Sequence, residues 1–459
     1  MTHAIASKAV PGVEPDLRVR QMLQAPILPL LLRMAWPTML IMLVQASTGL
    51  IETWWVAKLG TDALAGMALV FPPYMLMTMI SAGAIGGSIS AAVARALGAG
   101  RRAQADELII QAILINTVLG LGFSLLFLLF GRPIYQLLGG SAGALEAALQ
   151  YSNTVFAGVV LIWLMNGLSS IIRGTGNMVF PAMVTCIGAV ALVPMSALLI
   201  FGFGPVPALG IIGGGVALIL YFAGGTCAMA WYIASGRTPL RIHWVAPKLG
   251  PMRSILRVGG LSTLMSIQTN VVIAGTTALV ASVASIEAVA GFGTATRLEY
   301  LLIPVVFGIG APMVALVGVN IGAGQRERAL AIAFTGGLIA FCVTEIIGMA
   351  AAIWPGPWLR LFSADPLMMA AGTEYLRVVG PVYGFFGLGL SLYFASQGAG
   401  RLQWPFLSGL VRVIIALGGG WLMIELTGSL RGLFVAVAAA LTVYGLMTFF
   451  AIRAGAWYR

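Results

Sequence analysis

Three glutamates lie within or beside long apolar stretches of the chain, where a charged side chain is costly. Glu52 and Glu345 have no nearby cation along the chain, and Glu299 follows Arg297 too closely for an ordinary helical ion pair. A charge at the centre of a bilayer costs about 2.5–3.5 kcal/mol on insertion scales. Such a carboxyl group is neutralised, paired or turned toward water, and it can bind a proton or a metal ion. We therefore consider all three as candidate H⁺ or Na⁺ sites.

Each candidate has an alternative interpretation. Glu52 could be solvated near a membrane surface, and Glu299 could form a structural ion pair with another helix. Neutral polar residues in the same stretches would either join helices or line a cavity. The cavity candidates are Gln45, Thr48, Asn166, Gln268 and Asn270, with Arg297 as a charged member. Pro37 would bend the first apolar stretch, because proline removes a backbone hydrogen bond.

Residues for a metal site or for nucleophilic catalysis are scarce. The 2 His residues lie outside the apolar stretches, and the 3 Cys residues lie far apart within them. The segment GGSAG (139–143) fits the G-x-S-x-G pattern, but that pattern needs a preceding strand and a His partner. We predict no enzyme activity, no metal site and no cofactor.

The composition places these residues in a membrane protein. The 459 residues are 60% hydrophobic and 8% charged, whereas soluble domains are about 25% charged. Apolar runs of about 20 residues, which can cross a bilayer core of about 30 Å, follow one another along the chain. We predict an all-α polytopic protein with twelve transmembrane helices. Their predicted bounds are 30–57, 66–94, 107–130, 147–171, 179–203, 209–233, 256–282, 290–318, 329–353, 372–396, 404–426 and 431–452.

A repeat divides these helices into two sets of six. Gly98-Ala99-Gly100 returns as Gly322-Ala323-Gly324, and RGTGNMVFP (173–181) returns at the same offset as QGAGRLQWP (397–405). An even number of helices gives both halves the same orientation, so the repeat is parallel. The predicted parts are an N-terminal segment (1–24), an N-lobe (25–233), a linker (234–255), a C-lobe (256–453) and a C-terminus (454–459).

Charge predicts the orientation. Most of the 25 Lys and Arg residues fall in loops on the N-terminal side, and few fall on the opposite side. The positive-inside rule then predicts an inner-membrane protein with both termini in the cytoplasm. The formal net charge of +11 is spread over short loops, so nucleic acid is not predicted as a partner.

With its repeat and its motifs, the chain resembles the multidrug and toxic compound extrusion (MATE) family of secondary transporters over about residues 25–450. The resemblance rests on AWPTML (35–40), GLIETWWVAKLGTDALAG (49–66), FGFGPVPALGIIGGGVAL (201–218) and the paired glycine turns. ATRLEYLLIP (295–304), followed by VGVNIGAGQRERA (317–329), is more similar to the DinF-like branch than to the NorM-like one.

The resemblance implies two six-helix lobes in a V around a cleft. It also implies export of organic, often cationic and amphiphilic compounds, driven by inward flow of H⁺ or Na⁺. Glu52 falls where the family usually has an Asp implicated in coupling, and Pro37 matches the proline where the first helix bends in the proton-linked branch. Asn166 matches a polar position of the N-lobe site.

Two departures from the family bear on the coupling ion. Ser196 stands where many relatives have an Asp, and Gln268 stands where the NorM-like branch has an acid. A lone Glu52 favours H⁺, because Na⁺ prefers several oxygen ligands. Protonation of Glu52 would then bend the first helix at Pro37 and release the substrate. We predict a monomer in the lipid bilayer, with small organic substrates.

Two alternatives stay within transport. The chain could export one endogenous metabolite, which every feature above also allows. It could also be a flippase for a lipid-linked precursor, but that would need a strongly cationic cavity. Apart from Arg297, few basic residues look intramembrane in the sequence.

Overall fold

The computed structural model describes residues 17–243 and 246–458, and these ranges form helices and no β-sheet. Within these ranges, eleven helices are long and apolar enough to cross a membrane, and a bent pair gives a twelfth if its two helices form one span. The prediction of an all-α protein is therefore confirmed, and eleven to twelve candidate spans agree with the twelve predicted.

We number the spans in chain order. Their bounds are Ile27–Ala57 (span 1), Thr61–Gly98 (2), Arg102–Leu137 (3), the pair Ala142–Ala157 and Val159–Gly174 (4), Val179–Phe201 (5), Ile211–Ala234 (6), Leu249–Val283 (7), Ile286–Gly322 (8), Arg326–Ile353 (9), Pro366–Ala399 (10), Gln403–Thr427 (11) and Leu430–Arg453 (12). Spans 1–6 form the N-half and spans 7–12 the C-half. Short helices at Leu17–Gln24 and Pro355–Leu359 complete the set. The predicted segment 1–24 lies partly outside the described residues.

Several spans depart from a regular α-helix at points that the sequence analysis does not predict. Span 4 bends by 48° at Gly158, and spans 2 and 11 contain π-helical turns at Met79–Ile85 and Ile414–Gly419. Span 10 contains a 3-10 turn at Gly380–Val382. By contrast, span 1 runs unbroken through the buried Pro37. Span 7 begins at Leu249, inside the predicted linker 234–255.

Glycines form the contact between the two halves at one end of the bundle. We call it the GAG end, because it carries the turns Gly98–Gly100 and Gly322–Gly324. A Cβ on Gly98 would overlap the backbone of Val319, and one on Gly322 would overlap the backbone of Arg95. Spans 2 and 8 can therefore approach this closely only without side chains at these positions.

Candidate functional site

Glu52 of span 1 lies among tyrosines. The charge of Glu52 interacts electrostatically with the phenol groups of Tyr74 (span 2), Tyr151 (span 4) and Tyr221 (span 6). Its Oε1 atom is buried without a hydrogen-bond partner, and none of the ion pairs among the described residues includes it. The structure thus places a carboxyl group with an unpartnered buried oxygen within electrostatic range of three phenol groups.

The other predicted polar residues of the N-half lie in different surroundings. The Thr48 hydroxyl, one turn before Glu52, donates to the Val44 carbonyl of its own helix at 2.8 Å, and Gln45 is exposed. Asn166 Nδ2 donates to Ser81 Oγ at 3.1 Å, which joins span 4 to the π-helical turn of span 2. Ser196 is 1% exposed, and its hydroxyl has no partner.

Glu299 in the C-half is paired. Its Oε1 lies 3.4 Å from Arg412 Nη2 of span 11, and its Oε2 accepts a hydrogen bond of 3.2 Å from Tyr375 of span 10. The side chains of Arg412 and Glu299 are only 6% and 12% exposed. The sequence left open whether Glu299 is a cation site or part of an ion pair with another helix. In the structure it forms such an ion pair with Arg412.

The Glu299–Arg412 pair borders a cavity that corresponds to the Glu52 site through the repeat. Thr276 in its lining stands at the repeat position of Glu52, and Tyr375 stands at that of Tyr151. The two sites therefore share a framework but not a charge pattern, because the C-half carboxylate comes from span 8 and has a cation beside it.

Glu345 caps a helix. Pro381 interrupts span 10, and in the helix that resumes at Tyr383 the Tyr383 N–H still donates to the Gly380 carbonyl of the preceding turn. The N–H of Gly384 donates to Glu345 Oε2 at 2.7 Å. A carboxylate is also favourable at this position because of the helix dipole.

The remaining predicted residues of the C-half do not gather around Glu299. Arg297 is exposed, with its guanidinium 5.4 Å from the centre of the Phe362 ring. Gln268 Nε2 donates to the Phe406 carbonyl at 3.4 Å. Asn270 is exposed and donates to the Ser266 carbonyl of its own helix. Within the described residues, no three His, Cys, Asp or Glu side chains are placed to hold a metal ion.

Two sets of residues around the glutamates were not predicted from the sequence. Arg412 lies within an apolar stretch, and that position alone could have marked it as functional or structural. Tyr151 and Tyr375 share the offset of the glycine turns, so the repeat could have pointed to them. Neither a motif nor a residue spacing in the sequence indicates that Tyr74 and Tyr221 lie near Glu52.

Comparison with known proteins decides the family. The family model MatE matches the chain twice, over residues 37–198 and 262–422, which together exceed half of its length. The chain belongs to the MATE family. One match in each half confirms the repeat, and membership makes the chain a transporter rather than an enzyme. The DinF-like assignment stays a prediction.

Two curated relatives of this MATE protein are similar over most of their length. The FAD transporter of Shewanella oneidensis is 26% identical over 382 residues, which cover 82% of each chain. The probable multidrug resistance protein NorM of Thermotoga maritima is 23% identical over 384 residues, covering 82% of this chain and 81% of that protein.

Solved MATE structures share the fold. A MATE protein in its bent conformation superposes with a TM-score of 0.89 at 21% identity, covering 96% of this chain and 98% of that one. An outward-facing multidrug resistance MATE transporter gives a TM-score of 0.86 at 21% identity, covering 97% and 99%.

Proposed function

We propose that this MATE protein is an inner-membrane antiporter that exports small organic compounds in exchange for an inward-moving cation bound at Glu52. Both termini would lie in the cytoplasm, and the compounds would include cationic amphiphiles. The observation that carries the proposal is the unpaired carboxyl group of Glu52, whose Oε1 is buried without a partner. An unpaired intramembrane carboxylate is costly unless it binds a cation during function.

Its neighbours favour H⁺ over Na⁺ as that cation. The groups within reach of the Glu52 charge are three phenols, which are neutral and can either donate to a carboxylate or accept from a protonated carboxyl group. A hard metal ion prefers several carboxylate or carbonyl oxygens. Ser196 supplies a hydroxyl where many relatives have an Asp, so span 5 adds no second carboxylate there.

Coupling requires that the cation binds the two states of the transporter with different affinity. Pro37 lies about 22 Å from Glu52 along span 1, at 1.5 Å per residue. Span 1 contacts span 5 of its own half and span 8 of the other half. A bend at Pro37 on protonation would therefore move Glu52 relative to its tyrosines and change the packing between the halves. The closed contact at the GAG end supports an outward-facing state in this structure.

One observation favours a second candidate, a dedicated exporter of a single metabolite. The relative with 26% identity is named as a FAD transporter, and it aligns over 82% of both chains. Such an exporter would use the same cycle with a narrower range of substrates.

Rhodamine 123 accumulation in inverted membrane vesicles tests the coupling role of Glu52. We expect an imposed H⁺ gradient to drive uptake by the wild type and Glu52→Gln to abolish it. Glu345→Gln is the matched control and should transport, because Glu345 bonds a backbone amide. A Na⁺ gradient in place of H⁺ identifies the ion. Unchanged uptake by Glu52→Gln would refute the assignment.

A further inference from the structure

Arg173, the last basic residue of span 4, lines a small cavity between the two halves. The cavity is bounded by span 2, span 8 and span 10, and its other polar lining residues are Ser90 and Gln397. Phe307 and Phe394 supply much of the apolar wall. Arg173 is thus the one charged residue among those that line this cavity.

The guanidinium of Arg173 has little to neutralise it. Its Nη2 donates to Ser170 Oγ at 2.8 Å, and none of the ion pairs among the described residues includes it. Its place at a helix C-terminus is favourable for a cation, but that effect is worth only about 0.3–1 kcal/mol. The helix dipole therefore offsets only part of the free-energy cost of burying the Arg173 charge in this cavity.

A second group in the same cavity also lacks a partner. Ser90 is 3% exposed, and its hydroxyl makes no hydrogen bond. The Gln397 Nε2 is already engaged, because it donates to the carbonyls of Gly83 and Ala84 across the interface, each at 3.1 Å, whereas its Oε1 is buried without a partner. The donors left for an anion are thus the Arg173 guanidinium and the Ser90 hydroxyl, and the Gln397 Oε1 is left as an acceptor for a donor group of the same ligand.

Arg95 adds a second cation when the halves separate. Its Nη1 donates to the Gly398 carbonyl of span 10 at 2.7 Å, a contact between the N-half and the C-half. Parting the halves at the GAG end would remove this acceptor. Arg95 and Arg173 would then both face the opened cleft without an acidic partner in the described residues.

We propose that this surface, formed by Arg173, Arg95 and Ser90, binds the phosphate or carboxylate group of an organic substrate when the halves part at the GAG end. Guanidinium groups suit such anions because their N–H groups form paired, charge-assisted hydrogen bonds. The inference rests on the proposed export function and extends its substrates from cations to compounds with an anionic group.

Fluorescein and rhodamine 123 test the site, because they share a xanthene ring but carry opposite charge. Binding of fluorescein to purified protein in detergent is measured by anisotropy, for wild type, Arg173→Gln and Arg173→Lys. We expect saturable binding by the wild type, an about tenfold weaker affinity for Arg173→Gln and partial recovery for Arg173→Lys. Arg401→Gln, an exposed arginine at the same end, should bind like the wild type.

Uptake by inverted vesicles separates this inference from the proposed function. Vesicles are filtered and lysed in one alkaline buffer, so that internal pH does not change the fluorescein signal. We expect Arg173→Gln to lose fluorescein uptake and to keep rhodamine 123 uptake, which also shows that the variant is folded. Wild type that does not bind fluorescein, or Arg173→Gln that binds it equally well, overturns the anion site. Fluorescein binding without gradient-driven uptake of either dye would instead overturn the export function.

Discussion

Replacing Glu299 with Gln should destabilise the C-half by leaving Arg412 charged and unpaired. Gln keeps the size of Glu and can still accept the Tyr375 hydrogen bond, so the change removes mainly the negative charge. Arg412 cannot lose its own charge, since arginine stays protonated in proteins. Among the described residues, its guanidinium would keep the rings of Phe386 and Tyr444, at 5.4 and 5.6 Å, but would lose its anionic partner.

The expected cost follows from the burial of the pair. The Arg412 and Glu299 side chains are 6% and 12% exposed, so water screens neither charge well. Removing one member of such a pair costs about 3–5 kcal/mol. The two ring contacts offset part of this, so we expect about 3 kcal/mol, or a fall of roughly 5 °C in Tm.

Thermal loss of the monodisperse chromatographic peak in detergent measures the effect. The double variant Glu299→Gln/Arg412→Met should recover most of the lost Tm, because it removes the stranded charge as well. Recovery by the second substitution separates an electrostatic cost from a packing cost. A double variant no more stable than Glu299→Gln alone would refute this reasoning.

Two further predictions concern helix ends and the interface. Glu345→Gln should lower the free energy of unfolding by about 1 kcal/mol, because the amide oxygen caps Gly384 less strongly than the carboxylate does. We expect a small fall in the same Tm. An unchanged Tm would mean that the 2.7 Å bond contributes nothing to stability. Gly98→Val should part the halves and raise maleimide labelling of a cysteine at Ser90, in a cysteine-free background, about tenfold. Gly224→Val, where nothing lies within 4 Å, is the control, and equal labelling of both variants would contradict the role of Gly98.

The architecture could be predicted from the sequence because its signals are local or periodic. Apolar stretches predict the spans, and the recurrence of Gly98–Gly100 at Gly322–Gly324 predicts the repeat. The irregular turns were not predictable in the same way. The π-helical turn at Met79–Ile85 has no single residue that requires it, and Gly158 at the bend of span 4 packs closely against Ile219, which lies on another span.

The candidate sites were less predictable, because their chemistry depends on partners from distant spans. Glu299 and Arg412 are separated by most of the C-half, so no local spacing shows that they pair. Glu345 looks like an isolated charge in the sequence, yet a broken helix in span 10 supplies its partner. Of the three glutamates, Glu52 keeps in the structure what its sequence suggests, because no ion pair among the described residues includes it.

The glycine contact at the GAG end also bears on the energetics of the transport cycle. At Gly98 and Gly322 the halves meet backbone to backbone, so separating them there exposes little apolar side-chain surface. Separation also breaks the hydrogen bonds that Arg95 and Gln397 donate across the interface, and water in the opened cleft can replace them. The glycine contacts and these hydrogen bonds should therefore add little to the free-energy gap between the closed and the parted forms. A smaller gap lets a ligand with only a modest preference for one form redistribute the populations of both.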